Sequence, residues 1–316
     1  MKILVTGTTG FIGSALIKHL AHIQDLCVVG MVRSIKDIPV STTVEFRLGE
    51  LGNSNKKTID LSDIDLIIHT AGRAHIMKDG SANPIEEFRR VNTFGTLDLA
   101  RSAANSGVKR FIFLSSIKVN GESTNIDLPF SVKSIADPKD PYGVSKHEAE
   151  MGLRRISNET GLEVTIIRPP LVYGPRVKGN FNTLIKVLSS RIPLPLASVR
   201  NNRRSMVGLD NLLSMIATCI RHPNAANQTF LISDKVDLST YSLLRLLGAS
   251  IGKPAVLFKF PVVILNLIAK LFNMETKAQK IMGTLQVDIS HTCSHLGWEP
   301  PFSVEQGLKN MNKKIK

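Results

Sequence analysis

Aromatic residues are scarce: phenylalanine, tyrosine and tryptophan make up 5% of the 316 residues, with a single tryptophan. The core of any fold built from this chain must therefore be aliphatic. Cysteine is scarcer. Cys27, Cys219 and Cys293 form no C-x-x-C pair and are odd in number, which argues against a disulfide framework or a zinc site and fits a reducing cytoplasm. Long apolar runs are missing too. The strongest, residues 256–272, is interrupted by Lys259, Pro261, Asn266 and Lys270, and falls short of the roughly 18 unbroken residues that a membrane span needs. It reads as an amphipathic helix after Pro261, packed on its own domain, with a peripheral contact to a membrane or partner as the alternative. The N-terminus opens on Ile3-Leu4-Val5 and then glycines, without the apolar core or cleavage site of a signal peptide.

Acidic residues are in deficit, 26 against 40 lysines and arginines, for a net charge of +14. Such a field attracts nucleic acid, acidic lipid or phosphorylated small molecules. The basic residues are scattered apart from a short Lys313-Lys314-Lys316 tail, with no zinc-finger or basic-region spacing, so nucleic acid is not an expected partner.

What is present is an alternation. β-Branched runs at 3–6, 28–32, 44–48, 66–70, 110–115 and 164–168 are separated by helical patterns at 11–21, 85–106 and 142–160. This order predicts an α/β protein with a Rossmann-like, doubly wound parallel sheet. After Pro169-Pro170, prolines and glycines break the alternation through Pro195; a helix at 210–221 and a strand at 229–233 follow, then mainly helical patterns. The expected organisation is a dinucleotide-binding domain at 1–173, rejoined at about 208–233. A smaller, interleaved, mainly helical substrate domain takes about 174–207 and 234–316.

The run Thr6-Gly7-Thr8-Thr9-Gly10-Phe11-Ile12-Gly13 follows the first strand and opens the first helix. Glycines let an anion approach the backbone, and the unpaired N–H groups of a helix start face it. A cofactor diphosphate is expected here, with Thr9, Phe11 and Ile12 among its neighbours. The second strand ends Val29-Gly30-Met31-Val32-Arg33, without the acid that usually binds the ribose of NAD. Arg33 favours the 2′-phosphate of NADP(H) or stacks on adenine, with NAD(H) as the alternative. Glu50 and Leu51, just past the third strand, are candidates for the adenine end.

Tyr142-Gly-Val-Ser-Lys146 sits where a helix begins after Pro138 and Pro141. At this spacing tyrosine and lysine share one helical face. An ammonium beside the phenol would lower its pKa and let it trade a proton with an alcohol or carbonyl oxygen as hydride moves. Ser116, at the end of the fifth strand, is placed to bind the same oxygen.

With these residues in view, the chain resembles the extended short-chain dehydrogenases of the nucleotide-sugar epimerase, dehydratase and reductase branch. The resemblance runs nearly the full length: TGTTGFIG at 6–13, IIHTAGRAH at 67–75, VNTFGT at 91–96, FIFLSSIKVNGE at 111–122, YGVSK at 142–146, RPPLVYGP at 168–175, RRSMVGLDNL at 203–212 and LGWEPP at 296–301. It implies that Ser116, Tyr142 and Lys146 are catalytic and that Gly7, Gly10 and Gly13 hold the diphosphate. Lys146 would also bind the nicotinamide ribose, Ala71 and Gly72 would line the cofactor groove, and Pro169 would border the nicotinamide. Arg204 would contact the diphosphate of a UDP-sugar substrate, with His75, Lys118 and Asn180 as further substrate contacts. Asn92 is implied to be structural, and relatives commonly form homodimers through a helical bundle.

Dehydratases of this type carry an acidic pair after the catalytic hydroxyl residue; here Ile117 and Lys118 stand there. Non-catalytic cofactor sensors lose the tyrosine or lysine, and both are present. Four-ketoreductases and four-epimerases remain. SSIKVNGE, RAHIM at 73–77 and GTLQVDIS at 283–290 most resemble a subgroup that includes UDP-N-acetylquinovosamine-forming 4-ketoreductases of O-antigen synthesis. The expectation is therefore a UDP-4-keto-6-deoxy-N-acetylhexosamine 4-ketoreductase, with a UDP-sugar 4-epimerase as the alternative and a non-catalytic NADP-sensing binding protein as a minor one.

Overall fold

The computed structural model of the protein describes residues 1–38, 44–52, 59–74, 83–177 and 179–313. Strands are β1 (Lys2–Thr6), β2 (Cys27–Val32), β3 (Glu45–Leu48), β4 (Leu66–His69), β5 (Arg110–Leu114), β6 (Glu163–Arg168), β7 (Leu171–Tyr173), β8 (Met206–Gly208) and β9 (Thr229–Leu231). Helices are α1 (Phe11–Leu20), α2 (Pro84–Phe88), α3 (Gly95–Asn105), α4 (Pro141–Thr160), α5 (Asn180–Ser189) and α6 (Leu209–Arg221), followed by α7 (Thr240–Ser250), α8 (Val262–Leu271), α9 (Glu275–Met282), α10 (Ser290–Leu296) and α11 (Val304–Lys313).

The seven-stranded sheet runs β3-β2-β1-β4-β5-β6-β9, and every neighbouring pair is parallel. Strands covered on both faces must be apolar at every position, not at alternate ones. Ile3, Leu4 and Val5 in β1 and Phe111, Ile112 and Phe113 in β5 accordingly lie fully inside. On one face α1 and α6 bury Leu16, Leu212 and Ile216; on the other α3 and α4 bury Leu99, Leu153 and Ile156. Strand order reverses between β1 and β4, so a crevice opens at their carboxyl ends, where ligands bind in doubly wound sheets.

After β6 the chain leaves the sheet. Strands β7 and β8 form a separate parallel ribbon before β9 returns beside β6. The Asp234 carboxylate ties this ribbon down: it accepts hydrogen bonds from Tyr173 Oη at 2.7 Å, Gly208 N and Asn211 Nδ2. Tyr173 and Asn211 come from the RPPLVYGP and RRSMVGLDNL motifs, so both motifs serve this junction.

Two expectations change. Residues 180–189, within the stretch where glycine and proline suggested irregular chain, form α5. The helix after Pro261 is present as α8, covered along one side only: Ala269 is its one buried residue, with Val262 and Leu265 half-buried. The sequence could not separate these outcomes, because an apolar helix has the same pattern whether its second face is covered or bare.

Candidate active site

The glycine loop follows from backbone geometry. Gly7 has φ +72° and its carbonyl accepts the Gly10 N–H at 2.9 Å, a turn that delivers the chain into α1. No side chain caps α1, and its first turn holds no acidic residue. Its leading N–H groups are thus open to an anion, as a diphosphate requires. A methyl group on Gly13 would stand 2.2 Å from Gly7 O and 2.7 Å from Thr70 Oγ1. The carbonyl is backbone and cannot yield, so Gly13→Ala is expected to force α1 off the loop. It should cost about 1–3 kcal/mol and release bound nucleotide, as measured by chemical unfolding and by nucleotide content after gel filtration.

Across the crevice, Ala71 N donates to Thr6 Oγ1 at 3.2 Å, and Thr6 Oγ1 lies 2.7 Å from His69 Nδ1. Thr96 Oγ1 spends its proton on Asn92 O and so accepts from His69 Nε2 at 2.9 Å. That leaves Nδ1 as acceptor and fixes the tautomer. Burial pushes His69 down to about 3, so it is a neutral strut between β1, β4 and α3.

Asp140 accepts from Gly143 N at 2.8 Å and caps α4, with Pro141 at its first position. Tyr142 therefore lies in the first turn and Lys146 one turn on. The Ser116 side chain acts on the Tyr142 phenol, drawing its pKa down. Lys146 is 3% exposed; its Nζ donates to Leu114 O at 2.9 Å and sits 4.4 Å from the centre of the Phe113 ring. A methyl group on Gly72 would stand 3.4 Å from Lys146 Nζ and 3.3 Å from Asn92 Oδ1. The end of β4 and the lysine thus face each other closely, and a side chain at residue 72 would crowd both Lys146 and Asn92. Asn92 is structural as expected: it accepts from Arg73 N at 2.7 Å and donates to Ser145 Oγ at 3.0 Å, joining the β4 loop to α4.

The pKa expectation is reversed. Burial and the Asp140 carboxylate push Tyr142 up to about 12, against a smaller downward pull from Ser116. Burial pushes Lys146 down to about 7, and Glu150 only partly opposes it. A desolvated ammonium is costly, so the chain alone does not lower its phenol. The groups nevertheless fit a nicotinamide nucleotide, whose oxidised ring is itself cationic.

Beneath the trio lies an ion pair that the motifs alone did not reveal. Arg168 donates to both Glu150 oxygens, at 2.9 and 2.5 Å, and to Asn120 Oδ1 at 3.0 Å; Ser115 Oγ donates to Glu150 at 2.5 Å. Arg168 and Glu150 are 8% and 2% exposed. Glu150 follows Lys146 by four residues, so helical spacing was the available signal.

The remaining candidates divide. Pro169 O accepts from Ile117 N at 3.0 Å, which places it beside the residue after Ser116. Arg33 is exposed directly after β2, whereas Glu50 and Leu51 are half-buried. Leu51 packs on Gly95 at the start of α3. The Lys118 ammonium is held by Asp140 and by Glu122 at 2.8 Å; it steadies the cap of α4. Arg204 is largely buried, donates to Gly283 O at 3.2 Å, and has no carboxylate partner among the described residues. Segment 284–288 links it to the site: Leu285 O accepts from Ser205 N, and Thr284 O accepts from Thr124 N on the loop after Ser116. Asn180 opens α5, but its side chain, like all of His75 and the last lysines, lies outside the described residues.

The model of the "NAD dependent epimerase/dehydratase family" matches residues 3–233. A UDP-glucose 4-epimerase of Vibrio cholerae is 44% identical over 308 residues, covering 98% of this chain and 93% of that protein. An N-acetyl-alpha-D-glucosaminyl-diphospho-ditrans,octacis-undecaprenol 4-epimerase of Escherichia coli O157:H7 is 25% identical, over 97% of this chain and 93% of the other. Among solved structures, a UDP-glucuronic acid 4-epimerase from Bacillus cereus in complex with UDP-glucuronic acid and NAD superposes with a TM-score of 0.77. It covers 100% of both chains at 22% identity. On the sequence match, and with the fold to support it, the chain belongs to the NAD dependent epimerase/dehydratase family.

Proposed function

We propose that the protein is a UDP-hexose 4-epimerase rather than a 4-ketoreductase, with Ser116, Tyr142 and Lys146 at its centre. The observation that carries this reading is the 44% identity to the Vibrio epimerase across nearly the whole of both chains. Residues 1–173 and about 208–233 would hold the cofactor, and the rest of the chain the sugar nucleotide. Gly7, Gly10 and Gly13 would cradle the cofactor diphosphate, with Thr9, Phe11 and Ile12 around it. Arg33, Glu50 and Leu51 would meet the adenosine, and Ala71, Gly72, Lys146 and Pro169 the nicotinamide half. When bound, this cofactor supplies the carbon that takes and returns the hydride.

As the phenolate, Tyr142 Oη accepts the proton of the C4 hydroxyl, and Ser116 Oγ holds the same oxygen. The two then serve the ketone in reverse, with Tyr142 giving the proton back. Arg204, whose half-buried guanidinium has no carboxylate partner among the described residues, grips the substrate diphosphate while the keto sugar turns its other face. Lys118 is assigned to positioning, since Asp140 and Glu122 already occupy its ammonium. Because an epimerase returns its hydride, the cofactor stays bound, and we assign it as NAD(H); the NADP(H) preference rested on the missing acid at the end of β2 and on Arg33.

The test supplies UDP-glucose or UDP-N-acetylglucosamine to purified enzyme without added cofactor, identifies the C4 epimer by NMR, and analyses the nucleotide released on denaturation. Interconversion in both directions with bound NAD is expected. No interconversion, together with stoichiometric oxidation of NADPH by a UDP-4-keto-6-deoxy-N-acetylhexosamine, would establish the reductase instead.

A further inference from the structure

Helix α8 is apolar on nearly every side, yet one side alone is covered. Ala269 is buried and Val262 and Leu265 are half-buried, together on one side. At 100° per residue, Val263, Ile264, Leu267, Ile268 and Leu271 fall together on the opposite side. Val263 is 80% exposed, Leu267 57% and Leu271 72%, and Phe272 continues the patch at 71%. The principal neighbour of α8 is α9, which has no buried residue. The two helices therefore form a hairpin whose apolar face has no cover among the described residues. Scattered exposed leucines are ordinary, but a contiguous apolar helical face marks a contact surface.

Charge identifies what covers it. Between Lys253 and Gly283 the chain carries Lys253, Lys259, Lys270, Lys277 and Lys280 against the single acid Glu275. All five lysines are exposed, and none is paired with a carboxylate among the described residues. A second copy docking through this face would bring lysines against lysines. Nucleic acid would satisfy the lysines and leave the leucines wet. A bilayer with anionic headgroups satisfies both at once, taking the apolar face into the acyl boundary while the lysines meet phosphate. The ten residues of α8 span about 15 Å, half the roughly 30 Å hydrocarbon core. The helix is thus long enough to lie in the interface and too short to cross, and no helix among the described residues is long and apolar enough to span a membrane.

We infer that the α8–α9 hairpin docks the protein on the surface of an anionic lipid bilayer. This holds whether the 4-epimerase reading stands or falls, because it uses none of the residues assigned to catalysis.

The test is flotation of the full chain with vesicles of phosphatidylcholine alone or mixed with phosphatidylglycerol. Binding to the mixed vesicles, weak binding to the neutral ones and release by salt are expected. The triple variant Val263→Asn/Leu267→Gln/Leu271→Asn should lose vesicle binding while keeping its melting temperature and its turnover of a water-soluble UDP-sugar. Lys270→Glu and Lys277→Glu should each weaken binding about fivefold, more with charge reversal than with neutralisation. The inference is overturned if the wild type ignores anionic vesicles. It is equally overturned if the triple variant and the charge reversals bind as well as wild type, or if the triple substitution abolishes a concentration-dependent dimer in a protein that does not float.

Discussion

Tyr142→Phe is expected to lower turnover by about 10²–10⁴-fold while leaving the fold, the bound nucleotide and the KM for sugar nucleotide close to wild type. The substitution removes one oxygen. Phe88, whose ring meets Tyr142 edge-on at 6.2 Å, keeps its partner, and the α4 cap at Asp140 is untouched. What goes is the atom that carries the proton, the one on which Ser116 acts. A loss confined to kcat identifies an interaction made in the transition state, whereas an equal rise in KM would mean that the phenol only binds. The pH dependence adds a second mark. With the phenol near 12 and the Lys146 ammonium near 7, phenolate and ammonium coexist in only a small fraction of molecules. That fraction rises with pH up to about 7, because the phenolate grows tenfold per unit while the ammonium is intact. It is then level until about 12, since each gain in phenolate is matched by a loss of ammonium. The kcat/KM profile should follow this shape, and Lys146→Met should move the upper end of its rising limb away from neutrality.

The sheet was legible because parallel strands buried on both faces leave unbroken aliphatic runs, and six of them were placed within a residue or two of their observed ends. The glycine loop and the α4 start were legible for a related reason: Gly7, Gly13 and Pro141 answer to backbone geometry that few other residues satisfy. The β7–β8 ribbon was hidden by its size, since three-residue strands separated by more than thirty residues carry no periodicity. The loop after Pro175 concealed α5, because Gly179, which reads as a breaker, is in fact the residue that delivers the chain into the helix. The direction of the Tyr142 shift could not be read from the spacing of tyrosine and lysine. Spacing places the ammonium near the phenol, but burial depends on what packs around both, and here it acts on the two groups in opposite directions.

Glu150 is where structure and chemistry are most tightly joined, and three variants separate its roles. Glu150→Ala removes the carboxylate that holds Arg168 and leaves a guanidinium buried without a partner. Breaking a buried pair from one side costs about 3–5 kcal/mol, so a large drop in the unfolding midpoint is expected. Ser115 and Asn120 should loosen with it, since both bond to this pair. Glu150→Gln keeps the shape and an acceptor oxygen but not the charge, and its stability loss should be smaller. Its effect on activity is distinct in sign. The Glu150 carboxylate pulls the Lys146 pKa upward, so losing it drops the ammonium further, and the rising limb of the kcat/KM profile should end at a lower pH than in the wild type. Glu150→Gln/Arg168→Met removes both charges, and replacing a whole buried pair is often neutral or stabilising. The double variant should therefore regain most of the stability lost in Glu150→Ala without regaining the wild-type pH profile. If stability and pH profile returned together, Glu150 would be a packing residue alone. If the profile stays displaced in a stably folded double variant, its carboxylate sets the charge of Lys146 from a full helical turn away.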